Sequence, residues 1–156
     1  MKPDIRFGDI LDQDVEVIVN AWNRNIIPWW LLLPQGVSGA IKKKGGYAPF
    51  RDVARFGPIP LGEARLTGAG TLPFKAIIHV AGINMFWCAT KSSVTNSVIN
   101  AMRLVNENGY KSVAFPLIGA GSGNRGEQWS LDLMNHAFEQ VESDAKVFIV
   151  RYKKGH

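Results

Sequence analysis

Glycines that follow an apolar stretch are the residues of this chain best suited to bind a charged group. Residues 112–117 read Ser-Val-Ala-Phe-Pro-Leu, and Gly119, Gly121 and Gly123 follow at alternate positions. Glycine adopts positive φ without strain and lets backbone N–H groups approach an anion, and a helix predicted soon afterwards adds its positive N-terminal end. The pattern is typical of a phosphate-binding loop, although a tight turn between a strand and a helix would have the same composition.

The balance of charges also favours an anionic partner. The net charge is +5, to which the basic runs at residues 42–44 and 151–154 contribute. Nucleic acid, a diphosphate and an acidic protein all satisfy this preference, and a solvated basic surface is the alternative without a partner. Cys88 is the single cysteine, and no Cys/His cluster has the spacing of zinc ligands. We therefore expect a cytoplasmic protein without a metal or a cofactor, whose oligomeric state the sequence does not indicate.

Length and hydropathy predict one domain and no membrane association. The chain has 156 residues, of which 46% are hydrophobic. This length and composition suit one core, and the chain is too short for two ordinary domains. Its longest apolar patch, residues 26–33, is shorter than the roughly 18 residues of a membrane span. We expect no signal peptide, because the first residues lead directly into a strand. Residues 1–156 are thus interpreted as a single domain.

Strands and helices alternate along most of the chain. Strands are predicted at residues 5–7, 15–19, 63–67, 76–81, 112–117 and 147–150, with residues 20–23 following the second strand. Glycines and a proline between the third and fourth strands suggest that these two form a hairpin. Helices are predicted at residues 36–46, 49–57 and 90–108, and after the glycine loop, where Leu131, Met134, Phe138 and Val141 share a face. This alternation predicts an α/β fold with a largely parallel sheet covered on both faces, in which ligands bind beyond the carboxyl ends of the strands.

Six motifs also follow one another in an order that resembles the macrodomain family, whose members bind ADP-ribose. They are Gly-Asp-Ile at residues 8–10, Val-Ile-Val-Asn-Ala-Trp-Asn at 17–23, Gly-Val-Ser-Gly-Ala-Ile at 36–41, Gly-Glu-Ala-Arg-Leu-Thr at 62–67, Leu-Pro-Phe-Lys-Ala-Ile-Ile-His at 72–79 and Phe-Pro-Leu-Ile-Gly-Ala-Gly at 115–121. The resemblance covers nearly the whole chain. It implies a three-layer α/β/α sandwich with a mixed, largely parallel central sheet.

The resemblance implies which residues bind ADP-ribose or an ADP-ribosylated macromolecule. Asp9 would accept a hydrogen bond from the adenine amine, the backbone of Ile10 would support the same ring, and the Asn23 amide would contact the distal ribose. Two loops would enclose the diphosphate, formed by Gly36, Val37, Ser38 and Gly39 and by Gly119, Ala120, Gly121, Ser122 and Gly123. His79 lies in a predicted strand and is interpreted as a core histidine rather than a catalytic one.

Two departures from the family pattern bear on catalysis. One class of hydrolytic members uses an aspartate in the first loop to position or activate water, and Ser38 stands in its place, although a serine hydroxyl cannot act as a carboxylate base at neutral pH. A second class pairs a lysine near the end of the following helix with an aspartate of the second loop. Lys42 begins a run that resembles this lysine, whereas the second loop has no aspartate. The candidate catalytic residues are Asn23 and Lys42.

A third departure is the apolar insertion at residues 26–33, which includes Trp29 and Trp30. An exposed patch of this size would be unfavourable, so the segment should be covered or should cover something. Packing onto the domain itself is favoured over a lid above the distal ribose or a dimer surface. Three functions stay open. The first is an enzyme that removes ADP-ribose from a macromolecule or hydrolyses a small derivative such as the acetyl ester. The second is a non-catalytic reader of ADP-ribosylated targets, and the third is a nucleic-acid-binding domain on the same fold.

Overall fold

A six-stranded mixed sheet forms the centre of the computed structural model, which describes residues 1–23, 62–83, 90–119 and 126–152. The strands are β1 (Asp4–Gly8), β2 (Val17–Asn23), β3 (Ala64–Thr67), β4 (Ala76–Ile83), β5 (Ser112–Phe115) and β6 (Lys146–Tyr152), in the spatial order β1-β6-β5-β2-β4-β3. All neighbouring pairs are parallel except β3 and β4, which form the predicted antiparallel hairpin at one edge. The predicted α/β fold with a largely parallel sheet is confirmed.

All six strands differ from their predicted bounds, and the differences at β2 and β5 have a clear physical reason. Residues 20–23, expected to follow β2, belong to it, because β4 continues to supply backbone partners after β5 has ended. In that register Asn20 lies opposite His79, whereas β5 pairs only with the first two residues of β2. Conversely, β5 ends at Phe115 rather than at residue 117. The next residue, Pro116, has no N–H to continue the ladder.

The sheet separates two apolar clusters. One face is covered by α1 (Lys91–Glu107) and α2 (Glu127–Phe138), which contribute Val98, Met102 and Phe138 to the larger cluster. Thr90 begins α1 where predicted, because its hydroxyl accepts the Ser93 N–H and the Ser93 hydroxyl oxygen accepts the Thr90 N–H. The other face carries a smaller cluster that includes Ile10 and Leu11 of a short 3-10 helix, Ile10–Asp12.

Several predictions concern parts of the chain beyond the described residues. These are the helices predicted at residues 36–46 and 49–57 and the apolar insertion with Trp29 and Trp30. Within the described ranges, neither α-helix is long and apolar enough to cross a membrane.

Candidate functional site

The carboxyl ends of the five mutually parallel strands lie along one edge of the sheet. In sheet order, the first four of these ends belong to β1, β6, β5 and β2. Strands are about 4.8 Å apart, so the ends of β1 and β2 are separated by roughly 14 Å. The chain leaves β1 toward the face with the smaller cluster and leaves β5 toward the face with the larger one. Departure toward opposite faces predicts a crevice at this edge, which is where α/β proteins bind ligands.

Asp9 and Ile10 form the turn at the β1 end of the crevice. Gly8 has a φ of +143°, a conformation that a residue with a Cβ rarely adopts, and it turns the chain into the 3-10 helix. Asp9 caps this helix, because its Oδ1 accepts the Leu11 N–H at 2.9 Å. Ile10 is buried beneath the turn. The carboxylate is therefore held in place by one oxygen, and the second, Oδ2, is the one suited to a ligand.

Gly119 begins the glycine loop that follows β5. It is buried and has a φ of +89°, which requires glycine. Two side chains of α2 hold the preceding residue, Ile118. Its N–H donates to Met134 Sδ at 3.4 Å, and its carbonyl oxygen accepts the Ser130 hydroxyl. Ala120, Gly121, Ser122 and Gly123 lie outside the described residues. The backbone that enters the predicted phosphate loop is thus anchored to a helix.

Asn23 lies at the same edge, as the last residue of β2. It pairs with Ile83 of β4, after an irregularity in the register that follows Trp22. Gly36, Val37, Ser38 and Gly39, and also Lys42, are outside the described residues. Of the predicted site residues, the structure therefore brings Asp9, Ile10, Gly119 and Asn23 to one edge of the sheet, and the functional role of each stays a prediction.

A polar chain crosses three strands on the face of the smaller cluster. The Asn20 amide nitrogen lies 3.1 Å from His79 Nδ1, and His79 Nε2 lies 2.8 Å from the Thr67 hydroxyl, which donates to the Gly68 carbonyl oxygen. Because an amide nitrogen only donates, Nδ1 accepts and Nε2 carries the proton. Burial lowers the pKa of His79 from 6.5 to about 3, so the ring is neutral. The prediction that His79 is a core histidine is confirmed.

Arg151 occupies the carboxyl end of β6, between the Asp9 turn and the glycine loop in sheet order. Its Nη2 donates to Glu127 Oε2 at 3.0 Å, and its guanidinium lies 5.3 Å from the centre of the Phe7 ring. This ion pair attaches the first turn of α2 to the sheet beside the crevice. A positively charged side chain therefore lies at the same edge of the sheet as the candidate site residues.

Sequence reasoning did not identify Ser130 or Arg151 as residues of this region. A serine on the apolar face of α2 and a charged residue that ends an apolar strand are signals that could have identified them. Both became recognisable only when the helix and the sheet edge were placed together.

Comparisons with known proteins agree with this arrangement. The sequence pattern of the Macro domain family matches residues 19–132. The chain is 36% identical over 126 residues to an O-acetyl-ADP-ribose deacetylase from Citrobacter koseri, covering 76% of this chain and 67% of the relative.

Two solved structures of an Oceanobacillus iheyensis macrodomain are also similar, each at 25% identity. The one with ADP has a TM-score of 0.80 and covers 96% of this chain and 83% of the other. A variant with ADPR has a TM-score of 0.76 and covers 95% and 83%. The shared architecture is an α/β/α sandwich around the mixed sheet. By its motifs, its strand order and these matches, the chain belongs to the Macro domain family.

Proposed function

We propose that this chain binds ADP-ribose and its derivatives along the carboxyl edge of the sheet. The observation that carries the proposal is the spacing of three features at that edge: the Asp9 turn, the Gly119 loop and the end of β2 at Asn23, with roughly 14 Å between the outermost strands. An elongated dinucleotide-like ligand has this length. The ADP-ribose chemistry named for the similar enzyme and the ligands of the similar macrodomains support the same choice.

The orientation of the ligand follows from the chemistry of each feature. Asp9 Oδ2 is an acceptor suited to the adenine amine, and the backbone of Ile10 suits the same ring. Backbone N–H groups of residues 119–123 and 36–39 suit the diphosphate, since such groups bind anions without a charged side chain. The Asn23 amide offers both a donor and an acceptor to the hydroxyls of the distal ribose.

Calorimetric titration with ADP-ribose tests this function, with Asp9→Asn as the decisive variant. Asparagine keeps one oxygen for the Leu11 N–H but presents an NH₂ group, which cannot accept, to the adenine amine. We expect micromolar binding by the parent, about −8 kcal/mol, and a loss of roughly 1 to 3 kcal/mol in Asp9→Asn. Asp12→Asn, on the exposed side of the same 3-10 helix, is the matched control and should bind like the parent. Absence of saturation by the parent at millimolar ADP-ribose would overturn the proposal.

Hydrolysis of an ADP-ribose derivative is the second candidate, favoured by the name of the Citrobacter koseri relative. In this candidate Asn23 orients the distal ribose or a water molecule. At a glycosidic bond, Lys42 polarises the anomeric carbon or, once burial lowers its pKa, attacks it as the macromolecule leaves, and water then releases the ribose. At the acetyl ester, the oriented water attacks the carbonyl carbon and the ribose hydroxyl leaves. Single-turnover assays at enzyme excess test the two reactions, with an ADP-ribosylated macromolecule and with O-acetyl-ADP-ribose. Tight binding without any product would leave the chain a reader of ADP-ribosylated targets.

We further propose that the chain acts in the cytoplasm, because its single cysteine suits a compartment in which disulfides are rare.

We also propose that the ADP-ribose is carried by a nucleic acid. Twelve of the thirteen acidic residues lie in the described ranges, together with nine of the eighteen lysines and arginines. The other nine lysines and arginines lie in residues 24–61, 120–125 and 153–156, which contain one acidic residue, Asp52. These segments continue the chain from the ends of β2, β5 and β6, at the edge where ADP-ribose is proposed to bind. An excess of cations in segments that follow these strands in the sequence favours a polyanion.

A further inference from the structure

The peptide groups on either side of Ile118 are held by side chains of α2 instead of by the sheet. Met134 Sδ accepts the Ile118 N–H, and the Ser130 hydroxyl donates to the Ile118 carbonyl oxygen. All three residues are fully buried. Water therefore cannot substitute for either partner, and loss of one leaves a buried backbone group without a hydrogen bond.

Ser130 and Met134 act from one face of one helix. They are four residues apart, so they lie on successive turns, and the Ser130 oxygen is 3.8 Å from Met134 Sδ. One turn further on, Phe138 packs edge-on against Phe115, the last residue of β5, with ring centres 5.1 Å apart. The same helix face thus holds the end of β5 by apolar packing and the start of the glycine loop by hydrogen bonds.

Hydrogen bonds differ from apolar packing in that they fix direction. Donor, hydrogen and acceptor must be nearly aligned, so the two contacts fix the orientation of the two peptide groups that flank Ile118. Gly119 follows with a φ of +89°, and its orientation depends on that of the peptide before it. A small rotation at Ile118 would redirect the Gly119 N–H, because this N–H belongs to the same peptide group as the Ile118 carbonyl oxygen.

We propose that Ser130 and Met134 are positioning residues, which orient the backbone N–H of Gly119 toward the diphosphate of the ligand. This inference rests on the proposed function, because it assigns to the two side chains the recognition of the phosphate-bearing half of ADP-ribose. It predicts an effect that depends on whether the ligand carries phosphate. A merely structural role would affect every ligand equally.

The test compares ADP-ribose with adenosine, which has the adenine ring but no phosphate. Ser130→Ala should weaken ADP-ribose binding about tenfold, the effect of one lost hydrogen bond, and change adenosine binding less than about twofold. Ser130→Cys, a weaker donor of similar size, should lie between the parent and Ser130→Ala. Met134→Leu has a similar volume but no sulfur acceptor, and should change the ratio of the two affinities in the same direction.

Phe138→Leu is the matched control, since it damages the same helix face but removes no hydrogen bond to Ile118. It should lower the melting temperature and keep the parent's ratio of ADP-ribose to adenosine affinity. If Ser130→Ala does not fold, Met134→Leu provides the same comparison. An unchanged ratio in a folded variant, with the parent binding ADP-ribose, would overturn this inference alone. A parent that does not bind ADP-ribose would overturn the proposed function as well.

Discussion

At the scale of single residues, His79 connects the stability of the fold to pH. The imidazole is fully buried, with Asn20 on one side and Thr67 on the other, and its pKa falls to about 3. In the unfolded chain the pKa is near 6.5. Between these two values the unfolded chain binds a proton that the folded chain does not, so the free energy of unfolding decreases as the pH is lowered below 6.5.

We therefore expect the free energy of unfolding to fall below pH 6.5 with a slope that approaches about 1.4 kcal/mol per pH unit, as measured by urea denaturation between pH 6.5 and pH 5.0. His79→Gln removes the titrating group and should lose most of this slope. His136→Gln, which replaces an exposed histidine of α2, controls for the loss of one histidine. An equal slope in the parent and in His79→Gln would contradict this assignment.

At the scale of secondary-structure elements, Glu16 joins the amino ends of three strands, opposite the candidate site. It lies directly before β2, and its carboxylate pairs with the Lys75 ammonium before β4 and accepts the Lys111 N–H at 2.6 Å before β5. Its own N–H donates to Ser112 Oγ at 2.8 Å. These contacts lower the pKa of Glu16 below 4.5, chiefly through the Lys75 side chain and then through the Lys111 N–H.

Because the folded state favours the charged form, this stabilisation is present above the unfolded pKa and is lost as the pH falls through the folded one. Glu16→Gln should therefore lower the melting temperature at pH 7, and its difference from the parent should shrink toward pH 3. Glu107→Gln breaks an exposed pair with Arg103 on α1 and should leave the melting temperature nearly unchanged. A Glu16→Gln effect of the same size at both pH values would show that the charge is not the cause.

At the scale of the whole molecule, the uneven charge distribution predicts how salt affects binding. An ADP-ribosylated oligonucleotide would release counterions when it meets the cations of residues 24–61, 120–125 and 153–156, whereas free ADP-ribose would release few. We expect affinity for the oligonucleotide to fall at least tenfold more than that for ADP-ribose between 50 and 200 mM salt. Replacement of Lys153 and Lys154 by alanine should reduce this difference without changing the binding of ADP-ribose. Equal salt dependence for both ligands would favour a protein target.

Patterns local in the sequence determined much of this protein. The 3.6-residue period located α1, glycines indicated the turn between β3 and β4, and alternating glycines predicted the loop that begins at Gly119. These features depend on neighbours within a few residues, because a helix turn, a cap or a tight turn is satisfied by adjacent backbone groups.

Only the tertiary structure decided which elements meet. Periodicity shows that one face of a strand or helix is buried, but not which neighbour covers it. The extension of β2 to Asn23 depended on the length of β4. The hydrogen bonds to Ile118 come from Ser130 and Met134, which lie on a helix that follows Ile118 in the chain. The contact between Asn20 and His79 joins residues 59 positions apart. Such contacts form between segments whose own sequences do not specify each other, so the physical reason is the non-local packing of the sheet with its helices.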